Sequence, residues 1–326
     1  MKFLVIRFSS IGDIVLTTPV LRNLAQQVPG AVIHYLTKPV FAQVLDGNPH
    51  VRKVHLLKED FDAMIRSLKA EQFDAVIDLH SNVRTLRVKQ ALGLPSASFR
   101  KLNLEKWLLT SFKWDRMPRL HIVDRYLETV ARYQVNNDGQ GLDYFIPQDT
   151  VSPFETMSLP FRSGYIALVA GAAHFTKRIP IDKMREICMR SGQPVLLLGG
   201  KDDRQAAEKV AAAFPGKAWN SCGRLSLHQS AMLLRDADWV ISSDTGLMHI
   251  AAALRKKLVV LWGNTVPAFG MYPYYGTHPV PFYNLEVEGL SCRPCSKIGH
   301  QACPKKHFRC MQDQSAERIA QIISEE

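Results

Sequence analysis

Short apolar runs alternate with amphipathic stretches through the first half of the chain. Lys2–Phe8 is predicted to be a strand, and Ile14–Gln27 has apolar residues at helical spacing, with Pro19 in its first turns. Strands separated by helices of roughly 10–15 residues are typical of βαβ units and a parallel sheet. The other elements predicted here are strands at Val32–Leu36, Val51–Leu57 and Ala75–Leu79, and helices at Pro39–Leu45, Asp60–Glu71 and Arg84–Leu92.

The same alternation returns in the second half. Between the halves, Pro147–Gly164 contains three prolines and several hydroxyl residues, a composition typical of a linker. We therefore predict two α/β domains, residues 1–155 and 156–326, the second ending in a cysteine-rich tail and a C-terminal helix. The predicted strands of the second half are Tyr165–Val169, Pro194–Leu198, Trp239–Ser242 and Leu258–Trp262, and its helices are Ile181–Ser191, Asp203–Ala213, Leu227–Ala237 and Leu247–Leu254.

Composition narrows the class of protein. No apolar run approaches the roughly 20 residues of a membrane span, and the N-terminal apolar stretch lacks the features of a signal peptide, so we expect a cytoplasmic protein. The net charge of +11 favours anionic partners: nucleic acid, an anionic membrane surface or phosphorylated ligands. Nucleic-acid-binding zinc-finger spacing and dense basic runs are absent, so nucleic acid is not predicted as a partner.

Ligands of parallel α/β sheets bind beyond the carboxyl ends of the strands, so the turns that follow strands are the first places to search. After the first strand, Ser10 and Gly12 permit a tight turn with free backbone N–H groups, and Asp13 opens the predicted helix. Asp13 is either a helix cap or a general base that takes a proton from an attacking hydroxyl. The turn is not the G-x-G-x-x-G of dinucleotide-binding proteins.

Two turns of the second half carry groups suited to a phosphorylated ligand. Thr176 and Lys177 follow a buried strand and a Gly-Ala-Ala turn, and they either contact phosphate oxygens or belong to an exposed basic loop. Asp203 follows the next strand, where its carboxylate either accepts hydrogen bonds from ribose hydroxyls or caps a helix.

A third turn in this half begins a helix at Thr245 or Gly246. The positive end of that helix dipole suits a diphosphate, and Asp244 lies just before it. His249 follows one turn along, either as a contact to phosphate or sugar or as a core residue. These residues make the helix start a candidate anion site.

Taken together, Ser9-Ser10-Ile11-Gly12-Asp13 and Asp244-Thr245-Gly246-x-x-His249-x-Ala-Ala-Ala resemble the motifs of glycosyltransferase family 9, whose best-known members are ADP-heptose:lipopolysaccharide heptosyltransferases. The resemblance implies a GT-B fold, in which two Rossmann-like domains with parallel sheets face each other across a cleft. It also implies inverting transfer without a catalytic metal. Ala170, Ile179 and Asn264 depart from residues common in the family and leave the donor sugar open.

The resemblance further implies roles for single residues. Asp13 would be the general base. The acceptor would meet Ser10, Gly12, Arg84 and Lys101, although solvated surface charge is the favoured interpretation of either cation taken singly. The donor would be bound by Thr176, Lys177, Asp203, Leu225, Asp244, Thr245, Gly246 and His249. The implied partners are ADP-heptose and a lipid-anchored lipopolysaccharide core, with peripheral contact at the cytoplasmic face of the inner membrane.

The tail holds four of the six cysteines, at Cys292, Cys295, Cys303 and Cys310. Clustered cysteines in a reducing compartment suggest a structural zinc ion, with free thiols or a redox pair as the alternatives. No cofactor is expected to be needed for catalysis. Two other functions stay open at this point: an NAD-dependent oxidoreductase or epimerase, which would share the fold, and a non-catalytic protein that binds anionic ligands through its charge.

Overall fold

The computed structural model of the chain describes residues 1–156 and 164–325. Among these residues, none of the helices has both the length and the apolar character needed to cross a membrane. Part of the predicted linker, residues 157–163, lies outside the described residues.

Eleven strands are described in these ranges, and every strand pairing is parallel. The strands are β1 (Lys2–Ile6), β2 (Val32–Thr37), β3 (Lys53–Leu56), β4 (Ala75–Asp78), β5 (Ser96–Ser98), β6 (Ile166–Val169), β7 (Val195–Leu198), β8 (Ala218–Asn220), β9 (Trp239–Ser243), β10 (Lys257–Trp262) and β11 (Phe282–Glu286).

Thirteen α-helices accompany the strands in the described part of the chain. They are α1 (Ile11–Val15), α2 (Thr18–Gln27), α3 (Phe61–Ala70), α4 (Val83–Leu92), α5 (Asn103–Phe112), α6 (Ile122–Leu127), α7 (Pro153–Thr156), α8 (Ile181–Arg190), α9 (Arg204–Ala211), α10 (Leu227–Asp236), α11 (Gly246–Ala253), α12 (Arg309–Gln312) and α13 (Ala316–Glu325). Short 3₁₀ helices lie at Pro39–Leu45, Glu128–Tyr133, Phe175–Lys177, Lys201–Asp203 and Pro267–Phe269.

The first compact unit is built on a five-stranded sheet in the order β3-β2-β1-β4-β5. Its central strand β1 is fully buried from Phe3 to Ile6 because both faces of the sheet are covered. Leu4 and Ile6 pack with residues of α3 and α4, whereas the Phe3 ring meets Tyr133 on the other face, 5.0 Å between centroids. The unit comprises Met1–Lys101, Leu120–Pro147 and Tyr275–His278.

The second compact unit has a six-stranded sheet in the order β11-β10-β9-β6-β7-β8. One face of this sheet packs on α8 and α13, where Met184, Ile187 and Ile319 are buried against Ile166 and Leu168. The unit comprises Leu102–Arg119, Gln148–Tyr274 and Pro279–Glu326. The division of the chain therefore differs from a single boundary at residue 155, because Leu102–Arg119 and Tyr275–His278 each group with the opposite half.

One predicted helix is wrong in its extent. The segment predicted as a helix at Ile14–Gln27 forms two helices, α1 and α2, and the first begins at Ile11. Pro19, which has no N–H, lies at the start of α2, and the Thr17 and Thr18 hydroxyls donate to the Ile14 and Val15 carbonyls. These side chains satisfy backbone acceptors at the junction, so the chain can bend there.

Candidate active site

In each unit, the candidate residues lie where the strand order reverses. Chain order runs outward from β1 through β2 and β3 on one side, and from β4 to β5 on the other, so the reversal lies between β1 and β4. In the second unit it lies between β6 and β9. The carboxyl ends of two neighbouring strands diverge at such a point and leave a crevice that takes ligands.

Asp13 lies in the turn after β1, at the third position of α1. Its carboxylate accepts hydrogen bonds from the Ser10 N–H (3.0 Å) and the Ser10 hydroxyl (2.8 Å), and it pairs with the Arg7 guanidinium at 2.5 Å. Ser10 is therefore the N-cap residue of α1, and Asp13, at the third helical position, completes a capping box by accepting from the Ser10 N–H. Asp13 thus takes part in capping the helix, and its role as a general base stays a prediction. The sequence had suggested a free N–H group at Ser10, but this N–H donates to Asp13 and is not available to a ligand.

The Arg7 guanidinium holds this carboxylate in position. Arg7 is buried and donates to the carbonyls of Ser9 (2.8 Å) and Leu79 (2.6 Å), which joins the loops after β1 and β4. Burial opposes its charge, but Asp13 and neighbouring tyrosine and carboxylate groups raise the pKa of Arg7 above its ordinary value. A cation that cannot lose its proton thus orients Asp13.

His80 is a residue of this site that the sequence analysis missed. It follows β4, its ring packs against Phe8 at 5.0 Å, and the nearby charges include Arg7 and Lys101. Burial, reinforced by these two cations, lowers the pKa of His80 to about 4, so the ring is neutral at physiological pH. Its buried Nδ1 has no hydrogen-bond partner among the described residues. A polar residue directly after a buried strand was the available sequence cue.

The two cations predicted to meet an acceptor differ in setting. Lys101 is half-buried and close enough to His80 to lower its pKa. Arg84 is exposed in the first turn of α4. Gly12 is buried within α1. The first unit thus gathers Arg7, Asp13, His80 and Lys101, with Arg84 at the start of a neighbouring helix.

In the second unit, three strand ends meet through one carboxylate. Asp244, after β9, accepts from the Lys177 ammonium at 2.6 Å and from the Thr265 hydroxyl at 3.0 Å. Lys177 follows β6, and Thr265 follows β10. The ion pair therefore spans the crevice between β6 and β9, and it brings together two residues that are 67 positions apart in the chain.

Helix α11 begins directly after Asp244. Thr245 is its N-cap, and its side chain accepts from the Met248 N–H at 3.4 Å. Gly246 is the first helical residue, and no side chain shields the backbone there. The helix directs unpaired N–H groups and the positive end of its dipole at this crevice. His249 is buried one turn along the helix.

Asp203 lies next to the carboxyl ends of β6 and β7, against Gly171 and Gly199. Its carboxylate accepts from the Gly200 N–H at 2.8 Å and lies 3.7 Å from Arg178. Burial raises the pKa of Asp203, against the opposing effects of the Gly200 N–H and Arg178. A Cβ atom on Gly171 would lie 1.8 Å from Asp203 Oδ2, so a larger residue there would require the Asp203 side chain to move. Leu225 is half-buried in the loop between β8 and α10.

Thr176 and Asn264 have surroundings in the structure that the sequence did not indicate. The Thr176 hydroxyl accepts from the His300 N–H at 2.9 Å and is buried, so it braces the tail; its predicted contact with phosphate stays a prediction. Asn264, noted only as a departure from the family, is buried, and both polar atoms of its side chain lack a partner among the described residues. Leaving a buried amide unpaired costs about 1–3 kcal/mol, which makes Asn264 a candidate ligand contact.

The cysteine tail braces the same strand ends. The Arg293 guanidinium donates to the carbonyls of Gly263 (2.5 Å) and Thr265 (3.1 Å), and the Cys295 N–H donates to the Asn264 carbonyl at 3.2 Å. The thiols of the tail are electrostatic neighbours: burial, together with the other three thiols and against the opposing effect of Arg293, raises the pKa of Cys310 to about 12.

The four cysteines are free thiols, and the structural zinc site stays a prediction. In the described ranges, the one set of three ligand atoms within 4.8 Å of one another belongs to His34, His55 and Glu71. Glu71 pairs there with Lys2 at 2.8 Å and with Lys53 at 2.5 Å. These cations already neutralise the carboxylate, and His34 lies in the first half of β2, away from the carboxyl ends. We interpret this cluster as structural.

Comparison with known proteins gives consistent results. The sequence model of glycosyltransferase family 9 (heptosyltransferase) matches residues 61–295. The lipopolysaccharide heptosyltransferase 1 of Pseudomonas aeruginosa is 26% identical over 324 residues, covering 91% of this chain and 86% of that protein.

Solved structures share the fold. The crystal structure of a family 9 glycosyl transferase from Veillonella parvula has a TM-score of 0.77 at 20% identity, covering 100% of this chain and 98% of its own. The E. coli heptosyltransferase WaaC with ADP has a TM-score of 0.66 at 22% identity, covering 100% and 99%. At these identities the likeness establishes two parallel-sheet α/β domains of the GT-B class.

Proposed function

The chain belongs to glycosyltransferase family 9, and on this premise we propose that it transfers a heptose from ADP-heptose to a lipopolysaccharide inner-core acceptor. The observation that carries the proposal is the Lys177–Asp244–Thr265 group beside the start of α11, at the switch point of the second sheet. This arrangement suits a nucleotide diphosphate. It is supported by relatives named as lipopolysaccharide heptosyltransferases and by the ADP in the WaaC structure.

We assign the donor to the second unit. Lys177 and the N–H groups at Thr245 and Gly246 would hold the diphosphate, with Asp244 fixing the position of the lysine. The remaining donor contacts are Asp203 at the ribose, Leu225 beside the adenine, and Thr176 and His249 behind the phosphates. Because negative charge grows on the departing ADP, the lysine and the helix dipole would stabilise the transition state without a catalytic metal.

Asp13 is assigned to the acceptor. Its carboxylate takes the proton of an acceptor hydroxyl while the hydroxyl oxygen bonds to the anomeric carbon. The bond from that carbon to the diphosphate oxygen breaks on the opposite face, so the configuration inverts. Arg7 holds the carboxylate and Ser10 bonds to it. Arg84 and Lys101 would meet anionic groups of the acceptor, close to Gly12.

The test begins with nucleotide binding. ADP should raise the unfolding temperature of the protein more than UDP, GDP or CDP at equal concentration, because ligands that bind only the folded state stabilise it by mass action. ADP-heptose with a lipopolysaccharide core acceptor should then yield a product one heptose heavier by mass spectrometry. A panel in which ADP causes no shift, while another nucleotide does, would contradict the donor assignment.

The two alternatives from the sequence are not favoured by membership of this family. An NAD-dependent oxidoreductase or epimerase would enhance nicotinamide fluorescence on binding. A non-catalytic anion-binding protein would bind without nucleotide preference, and its binding would vanish with salt.

We propose that a metal ion, where the tail binds one, is structural and not catalytic. Cys292, Cys295, Cys303 and Cys310 would have to draw together to ligate it, with His307 Nε2 lying 3.9 Å from the Cys292 thiol. Elemental analysis of the purified protein measures the metal content. Loss of metal by chelation should lower the unfolding temperature while a soluble acceptor is still used.

A further inference from the structure

In helix α5 the apolar side faces outward, whereas in an ordinary surface helix the apolar side faces the core. Its positions 104, 107, 108, 111 and 112 follow the spacing of an apolar stripe that normally faces the core. Here that stripe faces outward: Leu104 is 64% exposed, Trp107 52% and Phe112 51%. Leu108 is half-buried, and Ser111 is the one polar residue of the stripe.

The opposite side of the segment is fixed to the second unit. Leu109 of α5 packs in a buried cluster with Leu102, Met117 and Phe269. The Lys106 ammonium lies 5.9 Å from the centre of the Phe269 ring. This packing determines which side of the helix faces outward.

Lys113, just after α5, adds a second attachment. Its ammonium donates to the carbonyls of Thr110 and Pro294, both at 2.8 Å. The outward direction of the stripe is therefore set by packing and by hydrogen bonds.

Three aromatic rings continue this surface. The Trp107 and Phe112 rings meet edge to face at 5.0 Å, and Phe112 and Trp114 lie 5.7 Å apart, with Trp114 62% exposed. Single exposed apolar residues are common on proteins, but a contiguous group of large ones marks an interaction surface. We call Leu104, Trp107, Leu108, Phe112 and Trp114 the α5 face.

Cations border the α5 face. Arg116 and Arg119, shortly after Trp114 in the chain, are exposed, and Arg119 pairs with Asp115 at 2.9 Å. The segment Leu102–Arg119 as a whole has four basic and two acidic side chains, of which Lys106 and Lys113 lie on its attached side. Tryptophan and phenylalanine next to arginine and lysine are typical of helices that lie in the plane of a bilayer, where the rings enter the headgroup region and the cations meet anionic lipids.

We propose that the α5 face binds the surface of an anionic phospholipid bilayer. It supplies the peripheral contact that a lipid-anchored acceptor requires, and to that extent it rests on the proposed function. In the described ranges no helix can cross a membrane, so this face offers the enzyme a way to stay at the surface. The basic net charge of the chain acts in the same direction, since anionic leaflets attract cations over about a Debye length.

Vesicle binding tests the proposal directly. The intact protein should co-sediment with vesicles of phosphatidylglycerol and phosphatidylethanolamine, and bind vesicles of phosphatidylcholine more weakly. The double variant Trp107→Ser/Trp114→Ser should lower the partition coefficient roughly tenfold or more, because two large apolar side chains no longer leave water. Arg116→Glu/Arg119→Glu should weaken binding to the anionic vesicles alone.

Matched variants separate this face from general stickiness and charge. Met189→Ser removes a side chain that is 66% exposed on α8, and Arg66→Glu/Arg190→Glu makes the same charge change elsewhere. Both should bind anionic vesicles like the unaltered protein. Equal loss of binding in Met189→Ser and in the tryptophan variant would overturn the proposal.

Tryptophan fluorescence gives a second measurement. Of the five tryptophans, Trp239 and Trp262 are buried, Trp219 is half-buried, and Trp107 and Trp114 are exposed. A blue shift on adding vesicles that disappears in Trp107→Ser/Trp114→Ser would therefore report on these two rings. Wild-type protein that ignores vesicles but forms dimers dependent on Trp107 and Trp114, measured by sedimentation velocity, would assign the face to a second copy of the chain and overturn the proposal.

A soluble acceptor distinguishes this inference from the proposed function. With a water-soluble fragment of the core, the tryptophan variant should turn over at the unaltered rate, whereas transfer to acceptor embedded in vesicles should fall. Transfer failing with both acceptors in the unaltered protein, while vesicle binding persists, would refute the proposed function and leave the membrane surface standing.

Discussion

Each of the two candidate sites contains an ion pair of a carboxylate with a cation, but the more exposed partner differs between them. Each switch point holds a carboxylate paired with a cation, Asp13 with Arg7 in the first unit and Asp244 with Lys177 in the second. In the first pair the acid is the more exposed partner, 19% against 11% for the arginine. In the second the lysine is more exposed, 15% against 10% for the acid.

The difference teaches which group each unit presents to a ligand. The first unit buries a cation and offers a carboxylate, which suits removal of a proton from an acceptor. The second buries a carboxylate and offers a cation, which suits a diphosphate. The same kind of parallel-sheet architecture thus supports two chemistries, because the functional side chains lie in the loops after the strands and these loops differ.

The largest expected effect comes from removing Asp13, the acid of the first pair. Asp13→Asn should lower kcat by at least about a hundredfold, since a positioned general base typically contributes 10²–10⁴. The dissociation constant of ADP, measured by calorimetry, should change little. Asp62→Asn, which alters an exposed acid on α3, is the control. Equal losses of ADP affinity and turnover in Asp13→Asn would contradict its assignment to the acceptor.

Removing Lys177, the cation of the second pair, should have the next largest effect. Lys177→Met should weaken ADP binding by roughly 10- to 100-fold, because a hydrogen bond to a charged group contributes about 1.5–3 kcal/mol. Lys209→Met, on the exposed side of α9, should bind ADP normally. If Lys177→Met kept full ADP affinity and lost only turnover, the contrast between the two ion pairs would fail.

Alanine substitutions at two glycines of the second unit test the proposed donor site. Gly171→Ala would place a methyl group against the Asp203 carboxylate, whereas Gly192 has no atom within 4 Å of an added Cβ. Gly171→Ala should cost about 1–3 kcal/mol in the free energy of unfolding measured with urea, and it should weaken ADP binding. Gly192→Ala should be nearly neutral. Similar unfolding midpoints for the two variants would show that Asp203 yields easily.

The smallest expected effect is a dependence of stability on pH. Burial lowers the pKa of His55 to about 4 and also lowers that of His34, so the folded state keeps both rings neutral. The unfolded chain takes up protons below about pH 6.5, so stability present above that pH is lost as the pH falls towards 4.

The His55→Gln variant tests this dependence. The urea midpoint should fall less steeply between pH 7 and pH 4.5 in the variant than in the unaltered protein. Identical slopes would remove the histidine pair as the cause.

Much of this fold could be predicted because buried parallel strands are continuous apolar runs. β1, β6 and β10 are examples, and the start of α11 at Thr245–Gly246 followed from the oxygen-bearing cap. The short β5 and β8 and the partly exposed β11 were missed, since these edge strands lack a buried apolar run.

The candidate sites were harder to predict because tertiary contacts complete them. The sequence indicated Asp13, Lys177 and Asp244 separately, but the pairing of Lys177 with Asp244 depends on which strands are neighbours. Arg7 and His80 join Asp13 through the fold, and no local pattern connects them. Helix α5 was not predicted, and the outward direction of its apolar stripe is set by the packing of Leu109 and Met117.

The bonds from Arg293 to the Gly263 and Thr265 carbonyls have a consequence for anyone who shortens this protein. A chain cut before Arg293 would keep the residues of every strand and of every proposed donor contact, but it would lose α13, which packs on the second sheet. It would also lose the charged clamp on the loop that carries Thr265, the hydroxyl that steadies Asp244. Trimming the tail should therefore blunt nucleotide recognition from a distance.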